Sequence, residues 1–198
     1  MPPVTLALIA ANVAVYLLQS SSPALLIQFA LWPLDSAAAS GGQVAFHFWQ
    51  ILTYGFLHGG LTHLLFNMFA LYMFGGALEQ VVGPRRYLAY YLVSVATAAI
   101  TQLVVMAFAN EIYPTVGASG GVFGLLLAYA IYFPNNRVFF LLIPFPIKAR
   151  VFVLIYAAVE LFLGVTGTQE GVAHFAHLGG LVGGALMIAY WRRGRFSR

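Results

Sequence analysis

The chain has 198 residues, of which 62% are hydrophobic and only 7% are charged. Soluble domains carry about 25% charged residues, so five acids and nine bases cannot cover the surface of a water-soluble globule of this size. The composition therefore excludes a soluble globular domain and predicts that lipid is the main solvent of this protein. Cysteine is absent, which excludes disulfides and cysteine-ligated metal sites.

Six apolar segments follow one another along the chain. They cover residues 4–19, 60–78, 87–108, 119–133, 149–164 and 173–191, with bounds that are approximate. We predict an all-α membrane protein, a six-transmembrane-helix bundle that forms a single domain over residues 1–198. Several segments are shorter than the roughly 20 residues that a membrane span usually needs.

Two connections are themselves apolar. Residues 20–58 join the first two helices, but Pro33 and two adjacent glycines interrupt them too often for a spanning helix. We expect a long folded loop that lies at one membrane interface. Residues 138–147 contain two prolines, which disfavour a helix, so this stretch is predicted to run extended along the opposite interface.

The basic residues define a topology. All of them follow the second, fourth or sixth helix: Arg85, Arg86, Arg137, Lys148, Arg150, Arg192, Arg193, Arg195 and Arg198. The other connections hold Asp35, Glu111 and Glu170 instead. The positive-inside rule then predicts an integral membrane protein with both termini in the cytoplasm. The abundance of arginine over lysine favours a bacterial cell membrane. The same sorting of charge argues against a nucleic-acid partner.

Polar residues inside the apolar segments are candidates for function, because polar groups in lipid cost several kcal/mol unless they are satisfied. The second helix opens with His58, His63 and Asn67. The fourth opens with Ser119 in a glycine-rich run, and the sixth opens with a pair of histidines that includes His177.

These groups are predicted to lie at one depth. Ser119, His177 and His63 are each 14 or 15 residues from the cytoplasmic end of their helix, which is about 21 to 23 Å at 1.5 Å per residue. The hydrocarbon core is roughly 30 Å thick, so all three should lie several ångströms below the outer surface. The fourth helix then begins inside the membrane, and the loop before it must dip in from outside among other protein segments.

Small residues indicate how these helices meet. Two small-xxx-small pairs are present, Gly120 with Gly124 and Gly180 with Gly184. Such pairs let membrane helices pack backbone against backbone, which would bring the imidazole of His177 against Ser119. Phe123 lies one turn below Ser119 and is predicted to pack on that imidazole.

This arrangement predicts acyl-transfer chemistry. A serine hydroxyl needs an adjacent base to become a good nucleophile, and His177 is the available base for Ser119. The oxyanion needs donors, for which the Ser119 backbone N–H, the Asn67 amide and the His63 imidazole are candidates. Since no acid lies near His177 in the sequence, we predict a dyad rather than a triad, open to the extracytoplasmic side.

At these residues the sequence resembles the rhomboid intramembrane serine proteases, in their minimal six-helix form. The motifs are Gly117-Ala118-Ser119-Gly120 with Phe123 and Gly124, Ala176-His177 with Gly180 and Gly184, the set His58, His63 and Asn67, and Glu79 with residues 144–149. The resemblance implies cleavage of single-pass transmembrane substrates within or beside their membrane segment, often after a small residue. It implies Ser119 and His177 as catalytic residues and His63 and Asn67 at the oxyanion. Gln50 departs from the family, which often has arginine there.

Other polar residues receive structural interpretations. We predict that His58 fixes the junction between the first loop and the second helix, that His174 has a structural or gating role, and that His47 lies at the interface. Glu79 is predicted to form hydrogen bonds at a helix end near Arg85 and Arg86. Glu160 is predicted to be a buried structural acid in the fifth helix. We expect no cofactor and no bound metal.

Three alternatives remain open. The histidines could hold a metal ion, although the chain has no H-E-x-x-H motif. The protein could be a non-catalytic relative that binds membrane clients, but such proteins lack the serine or the histidine. A small-solute transporter would show inverted repeats, and none is apparent in the sequence.

Overall fold

A computed structural model provides the architecture of the chain. It describes residues 1–108, 113–138, 145–167 and 173–196, with side chains as far as Arg193 at the C-terminal end. Glu111, Glu170, Arg198, the side chain of Arg195 and most of the stretch predicted to run along the cytoplasmic interface lie outside the described residues.

The described residues are predominantly helical. The helices are α1 Pro3–Ser21, α2 Ala24–Phe29, α3 Ser36–Ala39, α4 Gln50–Thr53, α5 Leu61–Ala70, α6 Gly76–Val82, α7 Pro84–Met106, α8 Ser119–Tyr132, α9 Ala149–Thr166 and α10 His174–Phe196. A 3₁₀ turn, Tyr54–Phe56, follows α4, and a π turn, Leu71–Gly75, joins α5 to α6. Strands β1 Arg137–Val138 and β2 Ile147–Lys148 pair antiparallel, with Arg137 opposite Lys148.

Within the described ranges, four helices are long and apolar enough to cross a membrane. They are Pro3–Ser21, Leu61–Val82, Pro84–Met106 and Ala149–Thr166. Helix α8 is apolar but has only 14 residues, and α10 is 23 residues long but carries two histidines and several glycines in its first half. A helical membrane protein is thereby supported, while membrane crossing by α8 and α10 stays a prediction.

The helix boundaries follow local sequence signals. Gly83 adopts a φ of 83° and ends α6, because glycine enters this left-handed region at little cost. Pro84 then begins α7, where its missing N–H would have had no helical partner. The second spanning helix therefore continues to Val82, four residues beyond the predicted bound.

Helix α8 forms the centre of the bundle. Most of its residues are buried, and α7 and α10 pack against it. The outer faces of other helices carry exposed large side chains such as Leu154, Phe162 and Leu186. A soluble monomer rarely exposes so much apolar surface, whereas the same surface fits a lipid environment.

Glu79 ties the N-terminus of α1 to α6. Its carboxylate accepts hydrogen bonds from the backbone N–H groups of Val4 (3.0 Å) and Thr5 (2.8 Å) and from the Thr5 hydroxyl (2.7 Å). These donors have no partner within their own helix, and a negative charge there complements the helix dipole. Glu79 thus bonds at a helix end, the start of α1, while its proximity to Arg85 and Arg86 stays a prediction.

Gln50 anchors the connection between α1 and α5. It is fully buried, and its amide donates to the carbonyl groups of Gln28 (3.2 Å) and Ala45 (3.1 Å). Its side-chain oxygen accepts from the Trp32 N–H at 3.3 Å. Glutamine therefore supplies internal hydrogen bonds for this loop.

Candidate active site

The start of α8 is held deep in the protein by its preceding loop. The Gly117 N–H donates to the Tyr54 carbonyl at 3.0 Å, and Thr115 and Leu31 exchange two backbone hydrogen bonds of 2.9 and 3.0 Å. Gly117 has a φ of 128°, a conformation that residues with a side chain rarely adopt. These contacts fix the position at which Ser119 begins its helix.

Ser119 and His177 are in direct contact. Ser119 Oγ lies 2.9 Å from His177 Nε2, although 58 residues separate the two in the chain. The imidazole stacks on the Phe123 ring, with centroids 4.3 Å apart and planes 6° from parallel. The serine hydroxyl and the ring nitrogen are therefore within hydrogen-bond range, and the aromatic stack fixes the plane of the imidazole.

Backbone contact between α8 and α10 produces this proximity. A Cβ atom added to Gly180 would collide with the Gly120 carbonyl, and one added to Gly184 would lie 3.3 Å from Gly124 Cα. The two predicted glycine pairs thus face each other across one helix interface. Such closeness is available only to helices without side chains at the crossing.

His63 and Asn67 line the same cavity as Ser119 and His177. Its volume is about 630 Å³. The Asn67 side-chain amide donates to the His63 carbonyl one turn earlier at 3.2 Å, and the His63 ring packs against Gly117. All four side chains of the predicted catalytic centre therefore share one space.

His58 lies beside this cavity but does not line it. Its ring is buried. Burial and, to a smaller extent, the neighbouring His63 lower the pKa of His58 to about 4. Its backbone N–H and C=O bond to the side-chain amide of Gln19 on α1 at 3.0 and 2.6 Å. These contacts fit the predicted role at the junction between the first loop and α5.

A carboxylate contacts His177 in the folded chain, although no acid lies near this histidine in the sequence. Glu160 Oε2, from α9, lies 2.9 Å from His177 Nδ1 and 2.7 Å from His174 Nδ1. Glu160 is 4% exposed and His174 is 5% exposed. An acid inside an otherwise apolar helix was the available signal, but its spacing in the sequence did not reveal which histidine it meets.

A family comparison decides the identity of this fold. A family model described as the rhomboid domain matches residues 45–194, which include Ser119, His177, His63, Asn67 and Glu160. The chain belongs to the rhomboid family. The resemblance inferred from the sequence motifs is thereby confirmed.

Individual relatives show how much of a rhomboid protein the chain represents. It is 32% identical to rhomboid protease AarA of Providencia stuartii, over 94% of this chain and 72% of that protein. It is 35% identical to rhomboid protease GluP of Bacillus subtilis, over 71% of this chain but only 25% of that protein. It is also 35% identical to RHOMBOID-like protein 4 of Arabidopsis thaliana, over 70% of this chain and 33% of that protein. The chain thus spans a third or less of two of these relatives.

The close packing of α8 against α10 in this rhomboid protein predicts that a larger residue at Gly180 is destabilising. Gly180→Ala places a methyl group against the Gly120 carbonyl, so the helices must separate at a cost of about 1–3 kcal/mol. We expect a lower thermal unfolding temperature in detergent and loss of the contact between the two helices that carry Ser119 and His177. Gly60→Ala is the matched control, because a Cβ there meets open space and its φ of 169° suits any residue. Equal stability of the two variants would contradict backbone contact at Gly180.

Proposed function

We propose that this chain is an intramembrane serine endopeptidase that cleaves single-pass transmembrane proteins within or near their membrane segment. The observation that carries the proposal is the 2.9 Å distance between Ser119 Oγ and His177 Nε2. Two proteins similar to this chain, AarA and GluP, are named rhomboid proteases. Fold alone does not specify chemistry, so the proposal depends on this pair of side chains.

In the proposed mechanism the serine forms an acyl-enzyme. His177 Nε2 accepts the hydroxyl proton while Ser119 Oγ attacks the scissile carbonyl carbon. The resulting tetrahedral intermediate collapses, the C–N bond breaks, and His177 returns the proton to the leaving amine. Water, activated by the same imidazole, then attacks the acyl-serine ester, and collapse of the second intermediate releases the carboxyl product and restores the serine hydroxyl.

The oxyanion is proposed to be stabilised by three donors. The backbone N–H of Ser119 begins a helix, where amide groups lack intrahelical partners and the helix dipole favours negative charge. The side chains of Asn67 and His63 line the same cavity. Asn67 would exchange its present bond to the His63 carbonyl for one to the developing oxyanion.

A bilayer location follows from charge and hydropathy. With all basic residues after the even-numbered predicted spans, we propose six spans, both termini in the cytoplasm, and a cavity that opens to the extracytoplasmic side. The cavity walls are mainly apolar and include Phe66 and Phe69 from α5 and Phe152 from α9. Such walls suit an apolar peptide segment, which supports a transmembrane helix as the substrate.

Proteolysis in liposomes tests this function. The reporter is a fusion protein with a single transmembrane helix that contains small residues near its extracytoplasmic end. We expect one cut within or beside that helix, and the matched control is a reporter whose small residues are replaced by leucine. Cleavage of soluble unfolded casein with both membrane reporters intact would contradict intramembrane proteolysis.

A metal-dependent hydrolase is the second candidate, and one observation favours it. Ligand atoms of Glu160, His174 and His177 all lie within 4.8 Å of one another, and two histidines with a carboxylate can bind a transition metal. The hydrogen-bond distances from Glu160 to both imidazoles already explain this cluster. We therefore expect cleavage of the same reporter to be unchanged by EDTA, and loss of activity that added zinc restores would favour the metal enzyme.

A further inference from the structure

Glu160 is a buried acid in the middle of the apolar helix α9. It is 4% exposed, and the residues that precede and follow it on this helix are largely aliphatic or aromatic. Burial of an ionisable group is costly unless it is hydrogen-bonded or paired. Among the described residues it contacts two imidazoles of α10.

The two imidazoles bind the same carboxylate oxygen with the same ring atom. His174 Nδ1 and His177 Nδ1 approach Glu160 Oε2 at 2.7 and 2.9 Å. They lie one turn apart on α10, so a single oxygen can receive both. An ionised carboxylate only accepts hydrogen bonds, and it therefore selects the tautomer in which each Nδ1 carries a proton.

This tautomer matters at the opposite side of the His177 ring. With the proton on Nδ1, the lone pair of Nε2 points toward Ser119 Oγ, 2.9 Å away. The serine hydroxyl can then donate to Nε2, as a general base requires. The opposite tautomer would present an N–H to the serine and could not accept its proton.

We propose that Glu160 is a positioning residue for His177, so that the centre is a Ser-His-Glu arrangement and not a bare dyad. This inference rests on the proposed protease function and deepens it. The carboxylate holds the imidazole in the reactive tautomer and stabilises the positive charge that His177 acquires when it takes the serine proton. Phe123 fixes the ring plane by stacking, while Glu160 fixes the rotation within that plane.

His174 completes the proposed arrangement by holding the carboxylate. Its Nε2 is buried and has no hydrogen-bond partner among the described residues. The polar contact of this ring is made by Nδ1, which bonds to Glu160. The 2.7 Å bond restrains Glu160 so that it cannot turn away from His177. This gives His174 a structural purpose without contact with substrate.

Glu160→Gln tests the proposal because it keeps the size and removes the charge. We expect kcat on the single-pass reporter to fall roughly 100-fold or more, with KM changed by about twofold or less, since positioning of the base acts on the chemical step. Glu79→Gln is the matched control, a buried acid that bonds α1 and lies outside the site. It should lower thermal stability while kcat per folded molecule stays close to that of the wild type.

A spectroscopic readout covers the case in which Glu160→Gln does not fold. In wild-type protein labelled with ¹⁵N-histidine, NMR at neutral pH should show the His177 proton on Nδ1. A proton on Nε2, or a wild-type kcat in Glu160→Gln, would overturn the proposal, as would an equal loss of kcat in Glu79→Gln. Any of these three outcomes, together with an inactive Ser119→Ala variant in the same assay, would exclude the proposed role of Glu160 and leave the protease function supported. Full activity of the Ser119→Ala variant would instead contradict the proposed protease mechanism itself.

Discussion

Ser119→Ala is expected to reduce cleavage of a transmembrane reporter by roughly 10⁴-fold or more, the scale seen when a serine nucleophile is removed. Alanine has no hydroxyl, so no acyl-enzyme can form, and His177 loses the group whose proton it takes. Helix α8 should persist, because alanine is a strong helix former and the glycine contacts are untouched. The measurement is kcat/KM in liposomes, normalised to the amount of folded protein.

Ser94→Ala is the matched control for this substitution. Ser94 is buried on α7, next to α8, and its hydroxyl donates to the Tyr90 carbonyl of its own helix at 2.9 Å. Removal of that bond should change thermal stability slightly and leave cleavage near the wild-type rate. Near-normal proteolysis by Ser119→Ala would show that another group performs the attack.

His177→Asn is expected to cause a loss of similar size. Asparagine cannot act as a general base at neutral pH, and it removes the stacking partner of Phe123. Because serine and histidine act as one unit, the double variant with Ser119→Ala should be little worse than either single variant. The measurement is again kcat/KM, together with the unfolding temperature of each variant.

The small additional loss expected in the double variant distinguishes a shared catalytic mechanism from two independent structural defects. Two independent defects would multiply, so the double variant would fall by the product of both factors. A His177→Asn variant that keeps more than about a tenth of the wild-type rate would contradict its role as base, since removal of such a base costs orders of magnitude.

Much of the site was predictable because membrane helices impose strong constraints on sequence. Apolar runs reveal the helices, and polar residues within them stand out by their cost. The glycines of α8 and α10 predicted a close crossing, and the structure brings Ser119 and His177 together there. The start of α8 at Ser119 was also predicted, from the short apolar run that follows it.

The contact with Glu160 was not predictable in the same way. A single acid on an apolar helix indicates which face is polar, but not which neighbour that face meets. The rotation of α9 about its own axis is set by packing of its apolar side chains against neighbouring helices, which the sequence of α9 alone does not specify. The sequence therefore predicted a dyad, and the contact between Glu160 and His177 appears only in the folded chain.

The π turn at Leu71–Gly75 was missed as well. It inserts an irregular turn into a continuous helix, and such turns have no reliable sequence signal. At this turn a Cβ on Gly75 would collide with the Tyr87 hydroxyl of α7, so the close approach of the two helices explains glycine there. Tertiary packing therefore decides this feature, and local propensity does not.

Covalent labelling with a fluorophosphonate serine probe tests the central claim most directly. The purified protein is treated with the probe, digested, and the modified peptide is identified by mass spectrometry. We expect one modified residue, Ser119, with no labelling in Ser119→Ala and strongly reduced labelling in His177→Asn. Labelling of a different serine, or equal labelling of the wild type and Ser119→Ala, would contradict Ser119 as the nucleophile.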